Sequence, residues 1–166
     1  EATLPLDGAL GFLRWLWRSN HAMEALSLRM ERELGITAQQ RLLIRCVGKF
    51  PGITPGRLAE LLCLDPGTVS ATTRRLLARD LIRREPGMGD RRRIALGLSP
   101  KGRRVDRPSP GTVESAIERL LLVTSERDTE TVVRVLRLLV SYLDSEVPRS
   151  AEAKPSRRSL RRKRPA

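Results

Sequence analysis

Arginine carries most of the chemistry this chain could do. Arg91, Arg92 and Arg93 follow directly on Asp90, and Arg74 and Arg75 stand behind a run of small and hydroxyl-bearing residues, Gly67, Thr68, Ser70 and Ala71. A guanidinium grips phosphate through two parallel hydrogen bonds and can read the guanine edge, while hydroxyls bond bases or phosphates. The balance of 32 Lys and Arg against 19 Asp and Glu gives a formal net charge of +13. Such an excess favours a polyanion, whether DNA, RNA or an anionic membrane face, with a merely basic surface as the plain alternative. Reaction chemistry is poorly provided for. His21 is the lone histidine, Cys46 and Cys63 are the two cysteines, and no metal-ligand spacing can be made from them. There is no Gly-rich phosphate loop and no nucleophile with a plausible His base. No enzyme, cofactor or metal site is therefore expected.

The basic residues need elements to hold them. Hydrophobic residues make up 40% of the 166 and aromatics only 3%, so Leu and Val must build the core, which suits helices packed on helices. Residues 7–34 predict a long helix between Asp7 as cap and Gly35 as left-handed stop, with Ala9, Leu13, Leu16, Met23 and Met30 at helical spacing. Thr37 caps a second helix over 38–49, with Leu43, Ile44 and Val47 as its apolar face. Thr54-Pro55 opens a short third helix, and Asp65-Pro66 opens a fourth that runs to about Arg79. On this fourth helix Val69, Thr73 and Leu76 fall to one side, while Gly67, Ala71 and Arg74 fall to the other with Thr68, Ser70 and Arg75.

The period then turns strand-like. Leu81 to Glu85 predicts one strand, Pro86 to Asp90 a turn, and Ile94, Leu96 and Leu98 a second, half-buried strand. A basic hairpin after two short helices is the sequence form of a winged helix-turn-helix. The fold class expected is mainly α with a small β-hairpin wing. Ser99-Pro100 starts another helix, which Pro108, Pro110 and Gly111 interrupt before it resumes to about Val123. Ser125 and Asp128 have capping-box spacing, and the last helix runs to about Ser145. On it Val132, Leu136, Leu139 and Leu143 form a seam wide enough for a partner helix. Residues 148–166 read as a disordered tail, with eight Lys or Arg against Glu152.

Residues 36–104 resemble the DNA-binding core of the MarR family of winged helix-turn-helix regulators. The stretches that carry the likeness are Ile36-Thr37 with Gln40, Arg57 to Leu62, Leu64-Asp65 with Thr68-Val69-Ser70, and Arg75-Leu76. Leu81-Ile82 with Arg84, the wing Gly89-Asp90-Arg91-Arg92, and Leu98 to Gly102 complete it. With the flanking helices, the likeness extends over about residues 6–145. It implies a domain over 1–147, with the winged helix-turn-helix over about 36–99 and dimerisation helices over about 7–34 and 100–145. It also implies that Asp90 braces Arg92 for entry into a minor groove, whose narrowness concentrates negative potential.

The function expected is a sequence-specific transcription regulator of double-stranded DNA, acting as a homodimer and most simply as a repressor. DNA contact falls to Gly67, Thr68, Ser70, Ala71, Arg74, Arg75, Asp90, Arg91, Arg92 and Arg93. The dimer interface falls to Leu13, Leu16, Val132, Leu136, Leu139 and Leu143. Family members often bind small phenolic or other anionic effectors near the first helix, where Trp15 could stack a ring and His21 could line a cleft or sense pH. Ordinary helix packing is the commoner role for both. The cysteines are expected as buried packing residues of a reduced, cytoplasmic protein. No apolar run approaches a membrane span and no signal-peptide pattern is visible, so a membrane is not among the expected partners. Two other readings stay open: an architectural, nucleoid-type DNA binder with little sequence choice, and a winged-helix module for protein contacts. The sequence also departs from the family pattern. Ala71 stands where Arg is common, Asp80 where Gly is usual, and the Pro108–Gly111 break is uncommon.

Overall fold

The computed structural model describes residues 6–86 and 94–146. The hairpin tip with Asp90, Arg91, Arg92 and Arg93, and the tail 148–166, lie outside the described residues. In chain order run helices α1 (Gly8–Leu34), α2 (Ala38–Lys49), α3 (Pro55–Leu62) and α4 (Pro66–Ala78), strands β1 (Ile82–Pro86) and β2 (Ile94–Leu98), then helices α5 (Pro100–Val105), α6 (Val113–Leu121) and α7 (Glu126–Glu146). This is the mainly helical fold with a two-stranded wing that the sequence predicts. The described residues fall into two compact units, divided between Leu120 and Leu121.

Local chemistry sets the helix starts. Thr37 and Gln40 close a reciprocal capping box on α2. Thr54, Asp65 and Ser99 each accept a backbone N–H with their side chains, at 3.3, 3.1 and 2.9 Å, and each is followed by Pro at the first helical position. Such a cap is worth about 1 kcal/mol against Ala, and Pro there forfeits only an N–H that has no helical partner. Gly35 ends α1 at φ 69°. Asp7 stands at the N-cap of α1, but its side chain makes no capping hydrogen bond.

One aliphatic core holds α2, α3, α4 and the hairpin together: Ile36, Leu43, Ile44, Val47, Leu58, Ala59, Val69, Leu76, Leu81, Ile82 and Leu96. Each fully buried Leu or Ile contributes about 1.5–3 kcal/mol relative to an exposed one. Of the α1 stripe only Met30 is fully buried in the single chain.

The strands pair antiparallel from Ile82 opposite Leu98 to Pro86 opposite Ile94, so β1 runs one residue further than predicted. The loop after α2 adds a rung: Gly52 donates to Leu96 O at 3.0 Å, and Leu96 donates to Ile53 O at 2.9 Å. The expected inward trio of Ile94, Leu96 and Leu98 is uneven. Leu96 is buried, Leu98 half-buried and Ile94 exposed, while Ala95 and Gly97 on the opposite face are buried too. Arg83 and Glu85 share that face, paired to each other at 2.8 Å, and the Glu85 carboxylate lies where a Cβ on Gly97 would sit. The ion pair is the lid that covers the small residues.

In the second unit, Ser125 caps α7. Its hydroxyl accepts the Asp128 N–H at 3.1 Å and donates to the Asp128 carboxylate at 2.7 Å. The carboxylate bonds the hydroxyl here; in the usual box a longer Glu reaches the backbone N–H instead.

Candidate nucleic-acid interface

Six of the ten predicted contact residues lie on α4. Asp65 turns its carboxylate onto the Thr68 N–H, and Leu64 N bonds Ala59 O at 3.0 Å, which fixes the turn from α3. Cys63 forms that turn in the left-handed region, at φ 50°. At the other end Asp80 is left-handed at φ 53°, in the position that glycine usually takes. Its carbonyl accepts the Ser99 hydroxyl at 2.6 Å, so the junction is held from the start of α5.

Between these turns α4 is divided lengthwise. Val69, Thr72, Thr73 and Leu76 are buried against the core. Gly67, Thr68, Ser70, Arg74 and Arg75 are exposed and Ala71 is half-buried. At 3.6 residues per turn these six share one side of the helix. Small residues and hydroxyls occupy its first turns and the guanidinium groups follow, an arrangement that fits insertion of the helix start into a groove. Arg74 also lines a cleft between α4 and the hairpin, with Pro55, Ser70, Thr73, Leu77, Arg84 and Leu96 among its walls. The Thr73 hydroxyl is buried without a hydrogen-bond partner.

Arg84 is the residue that sequence reasoning passed over as a site candidate. It lies on β1, opposite Leu96, and is exposed, lining the same cleft as Ser70 and Arg74 of α4. Strand alternation puts it on the same face as buried Ile82, so it gave no signal that Arg84 would be exposed; only the residue type hinted at it. Arg91, Arg92 and Arg93, with Asp90, belong to the hairpin tip outside the described residues.

The remaining candidates are placed as follows. Trp15 is 67% exposed and His21 is exposed, not partly buried. Six positions apart on one helix, they fall about 120° apart around its axis, so α1 alone does not bring them together. Leu13 is exposed and Leu16 half-buried on α1; on α7 Val132, Leu136 and Leu143 are exposed and Leu139 is half-buried. The two cysteines correct the expectation of buried packing. Cys63 is exposed, because its backbone forms the turn, and Cys46 is half-buried. Burial pushes the Cys46 thiol up, partly opposed by the charges of Lys49 and Arg45. Among the described residues no cluster of His, Cys, Asp and Glu could hold a metal, and no helix is long and apolar enough to cross a membrane.

Residues 36–94 match the model of the MarR family. Among solved structures the chain is similar to the S. aureus MepR–DNA complex, at 22% identity over 82% of this chain and 99% of that one, with a TM-score of 0.64. It is similar to S. pneumoniae FabT in complex with DNA, at 23% identity over 81% and 94%, with a TM-score of 0.58. The reduced form of MarR from E. coli is similar at 21% identity over 84% and 98%, with a TM-score of 0.57. At these identities the likeness is one of fold. No curated protein matches the chain in sequence.

Proposed function

We propose, from the match of residues 36–94 to the MarR family model, that this chain is a sequence-specific, DNA-binding transcription regulator that works as a homodimer. Each subunit lays α4 in a major groove and its wing in the adjoining minor groove. The two-fold axis then calls for a near-palindromic site, with half-sites about one helical turn, roughly 34–36 Å, apart. Repression is the simplest consequence, since a dimer on a promoter excludes other proteins. A small aromatic or anionic effector that changes the spacing of the two halves would release it. The exposed apolar residues of α7 are the expected seam of the dimer.

The observation that carries this reading is the lengthwise division of α4. Its apolar side is spent on the core, and its outward side offers hydroxyls and two guanidiniums that the fold does not use. Selection of bound sequences from a random duplex pool tests it. A near-palindromic motif should emerge. A pool that stays random while binding persists would instead favour the architectural reading, which the eight basic residues of the tail support.

A further inference from the structure

Helix α2 presents Arg41, Arg45 and Gly48 at i, i+4 and i+7, one stripe along its length. All three meet the stretch that joins α5 to α6. Arg41 is 2% exposed. It donates to the carbonyl of Val105 at 2.6 Å and to that of Arg107 at 2.8 Å, and its Nε bonds the Glu114 carboxylate in the first turn of α6. Arg45 bonds the backbone carbonyl of Asp106 and, at 3.0 Å, its carboxylate. A Cβ on Gly48 would collide with that same carboxylate. From α1, Arg29 donates to Gly111 O at 3.2 Å. The stretch closes on Thr112, 1% exposed, whose hydroxyl donates to Ser109 O at 2.9 Å and accepts from Ser115 N at 3.3 Å.

These bonds go where the backbone most needs them. The last carbonyls of a helix have no partner within it, and Pro108 and Pro110 have no N–H to offer. Guanidinium groups from α1 and α2 supply the donors instead. A break of this kind would otherwise be a free joint between the winged helix and α6, which leads in sequence to α7. Arg41 ties both sides of the break, α5 through a carbonyl and α6 through Glu114.

We propose that Arg41 is a positioning residue: it fixes the direction in which α6 leaves the winged helix, and so the half-site spacing that the dimer accepts. This rests on the dimeric, DNA-reading function above. The geometry is demanding, because a shift of about 3.4 Å moves a recognition helix by one base step.

The test uses the full chain and pool-selected duplexes in which the distance between half-sites is varied one base pair at a time. The wild type should prefer one spacing. Arg41→Lys keeps the charge but cannot serve three acceptors in one plane. Glu114→Gln is a milder variant that keeps the two carbonyl bonds of Arg41, in case Arg41→Lys fails to fold. Each variant that retains wild-type circular dichroism and cooperative unfolding should select the same half-site. Its preference for the best spacing over one longer by a base pair should fall at least fivefold, and amides of 106–114 should exchange hydrogen faster. Equal loss of affinity at every spacing, or an unchanged preference in folded variants, overturns the proposal. If the wild type selects no half-site at all, it is the functional reading that fails.

Discussion

Gly102 in α5 lies against the backbone carbonyl of Leu81, so close that a Cβ at this position would overlap the oxygen. The same carbonyl accepts the Ser99 N–H at 3.3 Å. Helix α5 is thus seated directly on the start of the wing, with no side chain between. Gly102→Ala should force the two apart and cost about 1–3 kcal/mol of stability, the range for overpacking a filled site. Urea unfolding measures this directly. A variant as stable as the wild type would mean that α5 is free to slide.

Arg75 is exposed on the outward side of α4, so Arg75→Ala should leave unfolding within about 0.5 kcal/mol of wild type. Binding to the selected duplex should weaken by about 1–3 kcal/mol, the range for a good base contact. Arg92→Ala, on the hairpin tip, is expected to behave alike through the minor groove. Unchanged operator affinity in either folded variant removes that residue from the interface.

Leu136→Asp places a carboxylate within the apolar residues of α7. If these form the dimer seam, the unpaired charge is costly there, and monomers or unfolding should result with loss of operator binding. Light scattering reads the outcome. A dimer that still binds normally puts the interface on another surface.

The tail is tested by removal. Residues 148–166 hold eight Lys or Arg against one acid. Each phosphate they neutralise adds about 0.9 to the slope of log affinity against log salt. Deletion should flatten that slope and weaken operator and random duplex by similar factors, since the residues expected to read bases lie in α4 and the wing. A salt series on both duplexes decides. Loss of discrimination would show that the tail itself reads sequence.

The sequence made the fold legible where the determinants are local. Thr54-Pro55, Asp65-Pro66 and Ser99-Pro100 each name a helix start, because cap and proline act within four residues. Asp80 could likewise be read as a left-handed position. What stayed hidden depends on distance along the chain. Arg41 looked like any polar residue of α2, since the carbonyls and carboxylate that bury it come 64 to 73 positions later. Cys63 was read as core because its residue type is usually buried, and the turn geometry that exposes it leaves little trace in residue type. The apolar character of α1 was plain, but what covers it is a question about partners.

The lengthwise division of α4 has a consequence for how such a protein changes over generations. Thr68, Ser70, Arg74 and Arg75 are exposed, whereas Val69, Leu76 and the left-handed Asp80 behind them are constrained by packing and backbone conformation. Substitutions on the outward side can therefore accumulate at little cost to folding, and a duplicated copy can acquire a new target without passing through an unstable ancestor. If α4 reads DNA as proposed, the mounting of the helix and the message it reads are separate heritable traits.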